Sequence, residues 1–273
     1  MFRPAIGATI FSIALVTALC FRFPAKINAY NPDTNNPDTK TGRRAVLVEL
    51  FTSEGCSSCP PADALLQKLL AQQPVEGAEI VALEEHVDYW NRLGWTDPYS
   101  SAKWTERQSA YAAKFGNDAY TPELVVDGRS NFVGSNASEA EQEIQKAALD
   151  AHTDITVVPG KSDQNGSKSF SISVANVQGG EPGDTAEIWL AVSEDGLRSS
   201  VNAGENEGRV LNHVATLRSL QKIGVARTNA AISYSGISQV KLDPRWNAGK
   251  MRITILVQGK KSREILGVAS LPI

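Results

Sequence analysis

The sequence predicts an α/β protein whose chain continues into a β-rich region. Two observations lead to this prediction. Over residues 44–151, apolar runs typical of strands alternate with segments in which apolar residues recur at helical spacing. Over residues 152–273, short alternating or apolar runs are separated by Gly, Pro, Asn or Asp, a pattern typical of an antiparallel β-sandwich. We therefore expect an α/β domain over 44–151, followed by a β-rich, sandwich-like domain over 152–273.

The composition is that of a soluble globular protein. The chain has 273 residues, of which 42% are hydrophobic and 21% are charged. Its formal net charge is −3, which argues against a general nucleic-acid-binding protein, because such a protein needs a basic surface. Three cysteines are too few for a small fold held together by disulfides, so we expect a hydrophobic core.

Residues 1–29 are predicted to be a secretory signal peptide. One basic residue, Arg3, precedes the uncharged and mostly apolar segment 5–20. This segment is slightly shorter than the roughly 20 residues that span a bilayer, so an uncleaved anchor is the second interpretation, and only then is membrane contact expected. Export implies a periplasmic or secreted protein in an oxidising compartment, where cysteine pairs form disulfides. Residues 30–43 are polar and turn-rich, which predicts a linker.

The first predicted elements form a βαβ unit. Residues 45–51 are an aliphatic run that predicts a buried strand with one acid, Glu49. Leucines at helical spacing predict a helix over about 60–73. Residues 79–86 predict a second strand. A strand, a helix and a strand within about 40 residues indicate a parallel pair with a right-handed crossover.

Four more elements complete the α/β region. The sequence predicts a helix near 104–115, a strand over 123–127 and a short antiparallel strand over 131–133. Ser138 and Glu141 have the spacing of a capping box, which predicts the start of a further helix. The resulting order is β-α-β-α-β-β-α, the order of elements in the thioredoxin-like fold.

A Cys-Ser-Ser-Cys turn, Cys56 to Cys59, stands between the first predicted strand and the first helix. A thiol at a helix N-terminus is stabilised as the reactive thiolate by free backbone N–H groups and by the helix dipole. By position, Cys56 is the exposed nucleophile and Cys59 the resolving thiol. A structural disulfide and a metal half-site are the other interpretations, but the strand–turn–helix setting favours a redox pair.

Three residues elsewhere are candidates to assist the cysteines. Thr121 and Pro122 directly precede the third strand, where a thioredoxin-like fold carries a cis-proline that faces the cysteine pair, although most X–Pro bonds are trans. Glu49 is a candidate proton acceptor for the resolving thiol, because a lone acid in a buried strand is costly without a function or a partner. The alternative is that this strand face is wet and Glu49 is simply exposed.

The loop after the second strand is rich in aromatic residues, among them Trp90 and Trp95. It leaves the same sheet edge as the cysteines, and ligands bind at that edge in open α/β sheets. These tryptophans are therefore candidates for a substrate-binding wall over Cys56. The alternative, which the large apolar area of the rings favours, is that they pack the loop onto the body of the protein.

One histidine is a candidate metal ligand. His86, at the end of the second strand, could bind a metal ion together with Cys56 and Cys59, but a lone histidine near a strand end is more often structural. His213 has no visible partner in the sequence and receives no role. No resident metal and no cofactor are expected.

Four blocks of the chain resemble a domain-of-unknown-function family of exported bacterial proteins in the thioredoxin-like superfamily. They are VELFTSEGCSSCPPAD, HVDYWNRLGWTDP, YTPELVVDGR and, more loosely, GENEGRVLNH. The resemblance covers about 44–273 and implies a thioredoxin-like domain followed by a β-rich domain. The superfamily's pattern implies that Cys56, Cys59 and Pro122 are the nucleophile, the resolving thiol and the substrate-facing residue. The Ser57-Ser58 pair matches neither the Gly-Pro of thioredoxins nor the Pro-His of strong periplasmic oxidants, so the direction of electron flow stays open.

Three hypotheses of function follow. The first is an exported thiol–disulfide oxidoreductase that acts on a protein or on a small thiol or disulfide, with no nucleic-acid partner. The second is a binding module on a thioredoxin-like scaffold with a structural disulfide. The third is a carrier of copper or another metal that uses Cys56, Cys59 and His86.

Overall fold

The computed structural model describes residues 42–151, 153–162, 167–178, 184–226 and 232–273. The predicted signal peptide, and the predicted linker up to residue 41, lie outside the described residues. The described part of the chain contains no helix with the length and hydropathy of a membrane span.

The elements of the first half follow the predicted order. They are β1 (Arg44–Thr52), α1 (Pro60–Gln72), β2 (Ala78–His86), α2 (Ala102–Phe115), β3 (Glu123–Val126), β4 (Ser130–Val133) and α3 (Ala137–Ala147). A short 3-10 helix, Asn91–Leu93, lies in the loop between β2 and α2.

The capping box of α3 lies two residues earlier than the sequence predicts. The helix is capped by Asn136, whose side-chain oxygen accepts a hydrogen bond from the N–H of Glu139. The Asn136 amide in turn donates to the Glu139 carboxylate over 2.7 Å. Asn is as good an N-cap as Ser, and Asn136 precedes Ser138 in the chain. The helix therefore begins after Asn136, and the pair Asn136 and Glu139 caps it in place of Ser138 and Glu141.

The second half consists of strands. They are β5 (Asp154–Pro159), β6 (Lys168–Ala175), β7 (Ala186–Glu194), β8 (Leu197–Ser200), β9 (Val210–His213), β10 (Thr216–Ala226), β11 (Tyr234–Val240), β12 (Met251–Gly259) and β13 (Ile265–Pro272). A second 3-10 helix, Ala248–Lys250, precedes β12.

Eight strands from both halves form one mixed sheet, in the order β13-β12-β7-β10-β2-β1-β3-β4. Strands β1 and β2 are parallel, with α1 as the crossover, and β3 runs antiparallel to β1. Strand β10 joins β2 through one residue pair, Thr216 and Glu84. Two smaller antiparallel sheets have the orders β11-β6-β5 and β8-β9. The protein is thus a mixed α/β fold around a central sheet.

A hydrophobic core of the second half lies between two sheets. Phe170 and Ile172 of the three-stranded sheet pack with Ile188 and Ile255 of the central sheet. One of the two facing sheets is therefore the continuation of the sheet built by the first half. Strand periodicity predicts which face of a strand is buried, but it does not say which strand lies alongside.

The two faces of β1 point to different helices. Val48 and Leu50 pack with α1 and α3, whereas Leu47 and Phe51 belong to clusters on the opposite face, where α2 lies. Because side chains alternate along a strand, Glu49 lies on the α2 face. The residues that follow Thr52 lead to the start of α1.

A third hydrophobic cluster joins the halves. It contains Leu47 and Leu83 of the first half together with Leu217, Leu256 and Val268 of the second. These residues are buried, so the central sheet is continuous in its packing as well as in its strand order.

Candidate functional site

Cys56 and Cys59 form a disulfide directly before α1. Cys59 is the N-cap residue of the helix. Ser57 and Ser58 between the cysteines are exposed, and the Ser58 Oγ lies 3.3 Å from the Cys56 Sγ. The predicted cysteine pair is therefore present in its oxidised form, at the predicted strand-to-helix turn.

The structure corrects the expectation that Cys56 is exposed, because both cysteines are 0% exposed. We call residues 203–208 the cover segment. Within it, the buried Asn206 side chain donates to the carbonyl oxygens of Glu54 and Cys56, each over 2.9 Å. The Glu205 carboxylate accepts from the N–H of Ser57 over 3.0 Å. This segment is about 150 residues away in the chain, so local sequence gave no sign that it covers the turn.

The start of α1 offers few free backbone donors. Pro60 and Pro61 have no N–H. The N–H groups of Ala62 and Asp63 both point to the carbonyl oxygen of Cys59. The sequence predicts that free backbone N–H groups stabilise a thiolate here, but these four residues offer none. The stabilisation therefore depends on the helix dipole and on the Ser58 hydroxyl beside Cys56.

The peptide bond between Thr121 and Pro122 is cis. The Trp90 indole N–H donates to the Thr121 Oγ1 over 2.8 Å. A methyl group on Gly134 would lie 3.2 Å from the Ala62 Cβ and 3.3 Å from the Pro122 Cβ. Because Pro122 and Ala62 contact the same glycine, Pro122 lies beside the first turn of α1.

The two predicted substrate-binding tryptophans lie against the residues that precede Cys56. The Trp95 indole N–H donates to the Glu54 carboxylate over 2.8 Å. A methyl group on Gly55 would lie 3.1 Å from the Trp90 Cβ. Both rings are half-buried, and both indole N–H groups are bonded within the protein.

Glu49 is neither a neighbour of the resolving thiol nor an exposed acid on a wet strand face. It is 0% exposed, and it faces away from α1 and the cysteines. Its carboxylate accepts from the Arg107 Nε and from the Tyr111 hydroxyl, each over 2.6 Å. Arg107 also lies 3.3 Å from Glu85. Glu49 is thus paired with groups of α2, which the strand's sequence could not indicate.

Asp63 is a buried acid in the first turn of α1, the helix that follows the cysteines. It stands in α1 one turn after Cys59, is buried, and accepts from the Thr52 hydroxyl over 2.7 Å. Burial, and then the negative charge of Glu84, raise the pKa of Asp63 to about 7. The sequence signal for Asp63 is that it is an acid on the otherwise apolar face of α1.

A cluster of buried ionisable groups lies next to the disulfide turn. We call it the polar cluster; it comprises Glu54, Glu84, His86, Asp97 and His213. The two ring nitrogens of His213 lie 3.1 Å from Glu84 and 3.2 Å from Glu54. His86 Nδ1 lies 2.7 Å from an Asp97 oxygen that also accepts from the backbone N–H of Glu54. In the described residues, His86 is grouped with Glu84 and His213 and not with the cysteines.

In Glu84, His86 and His213, the combined effect of charge pairing on the pKa outweighs the effect of burial. Burial lowers the pKa of His213, but the carboxylates of Glu84 and Glu54 outweigh burial and raise it to about 9. Burial would raise the pKa of Glu84, yet His213 and His86 lower it to about 2. His86 likewise has a raised pKa, because Asp97 and Glu84 overcome the effect of burial. Sequence reasoning missed this cluster because its members come from four separate segments.

Two solved structures resemble this chain over most of its length. Protein AGR_C_4864 from Agrobacterium tumefaciens has a TM-score of 0.64 and 24% identity, covering 85% of this chain and 95% of that chain. HBP35 of Porphyromonas gingivalis has a TM-score of 0.63 and 13% identity, covering 85% of this chain and 76% of that chain. Identities this low show a shared fold only. No curated protein matches the chain.

The sequence also matches a family profile described as "Protein of unknown function (DUF1223)" over residues 47–258. The matched region contains the disulfide turn, the cis-proline, the cover segment and the polar cluster. It spans most of the chain, and the chain therefore belongs to the DUF1223 family.

Proposed function

We propose that this protein is an exported thiol–disulfide oxidoreductase of the thioredoxin-like type. The observation that carries the proposal is the placement of the disulfide, which spans three positions at the start of α1 in a βαβ unit. In the chain-entropy model, closing a four-residue loop contributes about 2 kcal/mol, against about 3 kcal/mol for a 15-residue loop. Stabilisation alone is thus a weak reason for this bridge, and exchange chemistry is a better one.

The reaction is a two-electron exchange. A substrate thiolate attacks one sulfur of the Cys56–Cys59 disulfide, forms a mixed disulfide and releases the other cysteine as a thiolate. A second substrate thiolate then attacks the mixed disulfide, so the substrate leaves as a disulfide and the protein remains as a dithiol. The reverse sequence reduces a substrate disulfide. The reduction potential of the pair decides which direction prevails.

Neighbouring residues have distinct roles in this proposal. Thr121 and Pro122 align the backbone of the partner beside Cys56, and Trp90 and Trp95 form the adjoining wall. Asp63, one turn after Cys59, exchanges a proton with the resolving thiol. Its raised pKa near 7 suits a group that takes up and returns a proton at neutral pH.

The test is a comparison of exchange rates. The purified protein is assayed for reduction of insulin and for exchange with glutathione, beside Cys56→Ser and Cys59→Ser. We expect both variants to lose turnover, because each removes one of the two sulfurs that exchange. A wild-type rate no faster than that of Cys56→Ser contradicts the proposal.

The complete burial of both cysteines favours a second candidate, a binding module with a structural disulfide. The reduction potential separates the two candidates. A value below about −300 mV marks a structural bridge, whereas an exchanging pair has a higher potential.

A further inference from the structure

Glu84, His86 and His213 bring three possible metal ligands together inside the protein. Each offers one donor atom, and the three atoms lie within 4.8 Å of one another. All three residues are buried. Glu84 and His86 are two positions apart in β2 and so share a face, and His213 is the last residue of β9.

Both histidines present one ring nitrogen to the centre of this group and use the other on a carboxylate. His86 Nδ1 lies 2.7 Å from Asp97, and His213 Nε2 lies 3.2 Å from Glu54. In metal sites, a ligating histidine almost always donates its second N–H to such an acceptor, which fixes the tautomer and the ring orientation. This second-layer arrangement occurs twice here.

An unpartnered atom points into the same space. Among the described residues, His86 Nε2 has no hydrogen-bond partner although it is buried. It lies 3.8 Å from the Glu84 Oε2, beyond hydrogen-bond distance. Leaving a buried polar atom unpaired is costly, so its retention needs a reason.

The Glu84 carboxylate is held in place from outside the group. Its Oε2 accepts from the backbone N–H of Val214 and from the Thr216 hydroxyl, each over 3.1 Å. Its Oε1 lies 3.1 Å from His213 Nδ1. The carboxylate is therefore positioned between the two inner ring nitrogens before any ligand arrives.

We propose that Glu84, His86 and His213 bind one divalent first-row transition metal ion, through a carboxylate oxygen, His86 Nε2 and His213 Nδ1. Two imidazoles and one carboxylate are a ligand set that suits Zn²⁺. The ion lies beside Glu54, two residues before Cys56, and links β2 to the strand that follows the cover segment.

This inference is independent of the redox proposal, because neither cysteine is a ligand. Its test is a Co²⁺ titration of the oxidised protein, purified without a histidine tag and without the predicted signal peptide, which contains Cys20. We expect one Co²⁺ per chain with visible d–d absorption bands, which one equivalent of Zn²⁺ abolishes by displacement. A Cys56→Ser/Cys59→Ser variant keeps the bands.

Matched variants locate the site. Glu84→Gln and His86→Ala are expected to lose the bands, because each removes a ligand. Asp97→Asn is expected to weaken affinity about 10- to 100-fold, since it removes a partner of a ligand and not a ligand. His152→Ala, which changes the chain's remaining histidine, keeps wild-type affinity.

The proposal is overturned by a wild-type protein that shows no saturable bands. It is equally overturned if Glu84→Gln binds as wild type does, or if the cysteine variant loses binding. Because a buried histidine variant can fail to fold, the wild-type titration and the near-isosteric Glu84→Gln variant decide the result. Circular dichroism confirms that each variant compared is folded.

Discussion

The cover segment makes a sharp prediction about access to the disulfide. Asn206→Ala removes both hydrogen bonds that hold this segment on the carbonyl oxygens of Glu54 and Cys56. Each such bond contributes about 1 kcal/mol net, so the closed arrangement loses about 2 kcal/mol relative to an open one. This corresponds to an increase of about 30-fold in the open-to-closed ratio.

The assay measures how fast a small dithiol reduces the disulfide. Samples are quenched with an alkylating reagent, and the reduced fraction is read by intact mass. If opening precedes attack as a fast equilibrium, the reduction rate rises by up to about 30-fold in Asn206→Ala. Asn212→Ala is the control, because Asn212 is an exposed asparagine of the neighbouring β9.

Two results would refute this reasoning. One is a rate for Asn206→Ala within twofold of wild type. The other is an equal acceleration in Asn212→Ala, which would show that the effect is not specific to the cover segment. The dependence of the reduction rate on sub-denaturing urea separates local opening from global unfolding, because local opening exposes little surface and its rate therefore changes little with urea.

Three more predictions concern buried charges. Asp63→Asn is expected to slow insulin reduction with little change in stability, and an unchanged rate would exclude proton exchange through Asp63. Burial raises the pKa of Asp127 to about 7, above its usual 3.8, so its ionisation opposes folding and stability falls as the pH rises from about 4 through 7. Asp127→Asn keeps an acceptor for the Leu47 N–H, so it should remove that fall. Measured by urea unfolding above pH 7, its free energy of unfolding should exceed that of wild type by up to about 4 kcal/mol. Parallel pH profiles of stability for the two proteins would contradict this. Arg107→Leu leaves Glu49 and Glu85 without their cation and should lower the free energy of unfolding by about 3–5 kcal/mol. Adding Glu49→Gln should restore much of this loss. A loss below about 1 kcal/mol for Arg107→Leu would show that these ion pairs are unimportant for stability.

Features set by neighbouring residues were predictable from the sequence. The strand, the Cys-Ser-Ser-Cys turn and the helix that follows it are encoded within about thirty residues by spacing and turn chemistry. The cis peptide at Pro122 was expected only from the combination of its place before the third strand with the cysteine pair and the thioredoxin-like order of elements, and the structure has it. The capping box of α3 was displaced only because a better-placed Asn136 precedes Ser138.

Features set by distant residues were not predictable. The Cys56 carbonyl oxygen accepts a hydrogen bond from Asn206, 150 positions away, and Glu49 is paired with Arg107 across 58 positions. His213 shows nothing in its own surroundings that indicates Glu54 and Glu84 as partners, 159 and 129 positions away. Periodicity reports which face a side chain takes, whereas these contacts depend on how strands are ordered in the sheet.

The hydrophobic cluster that joins the two halves has a consequence for proteolysis. Leu83 of the first half and Leu217 of the second half belong to the same buried cluster, although β2 and β10 share only one residue pair in the sheet. A cut in the connection between α3 and β5 would therefore not release two separate folded pieces. The nicked fragments are held together by apolar packing, and they should migrate as one species until a denaturant parts them.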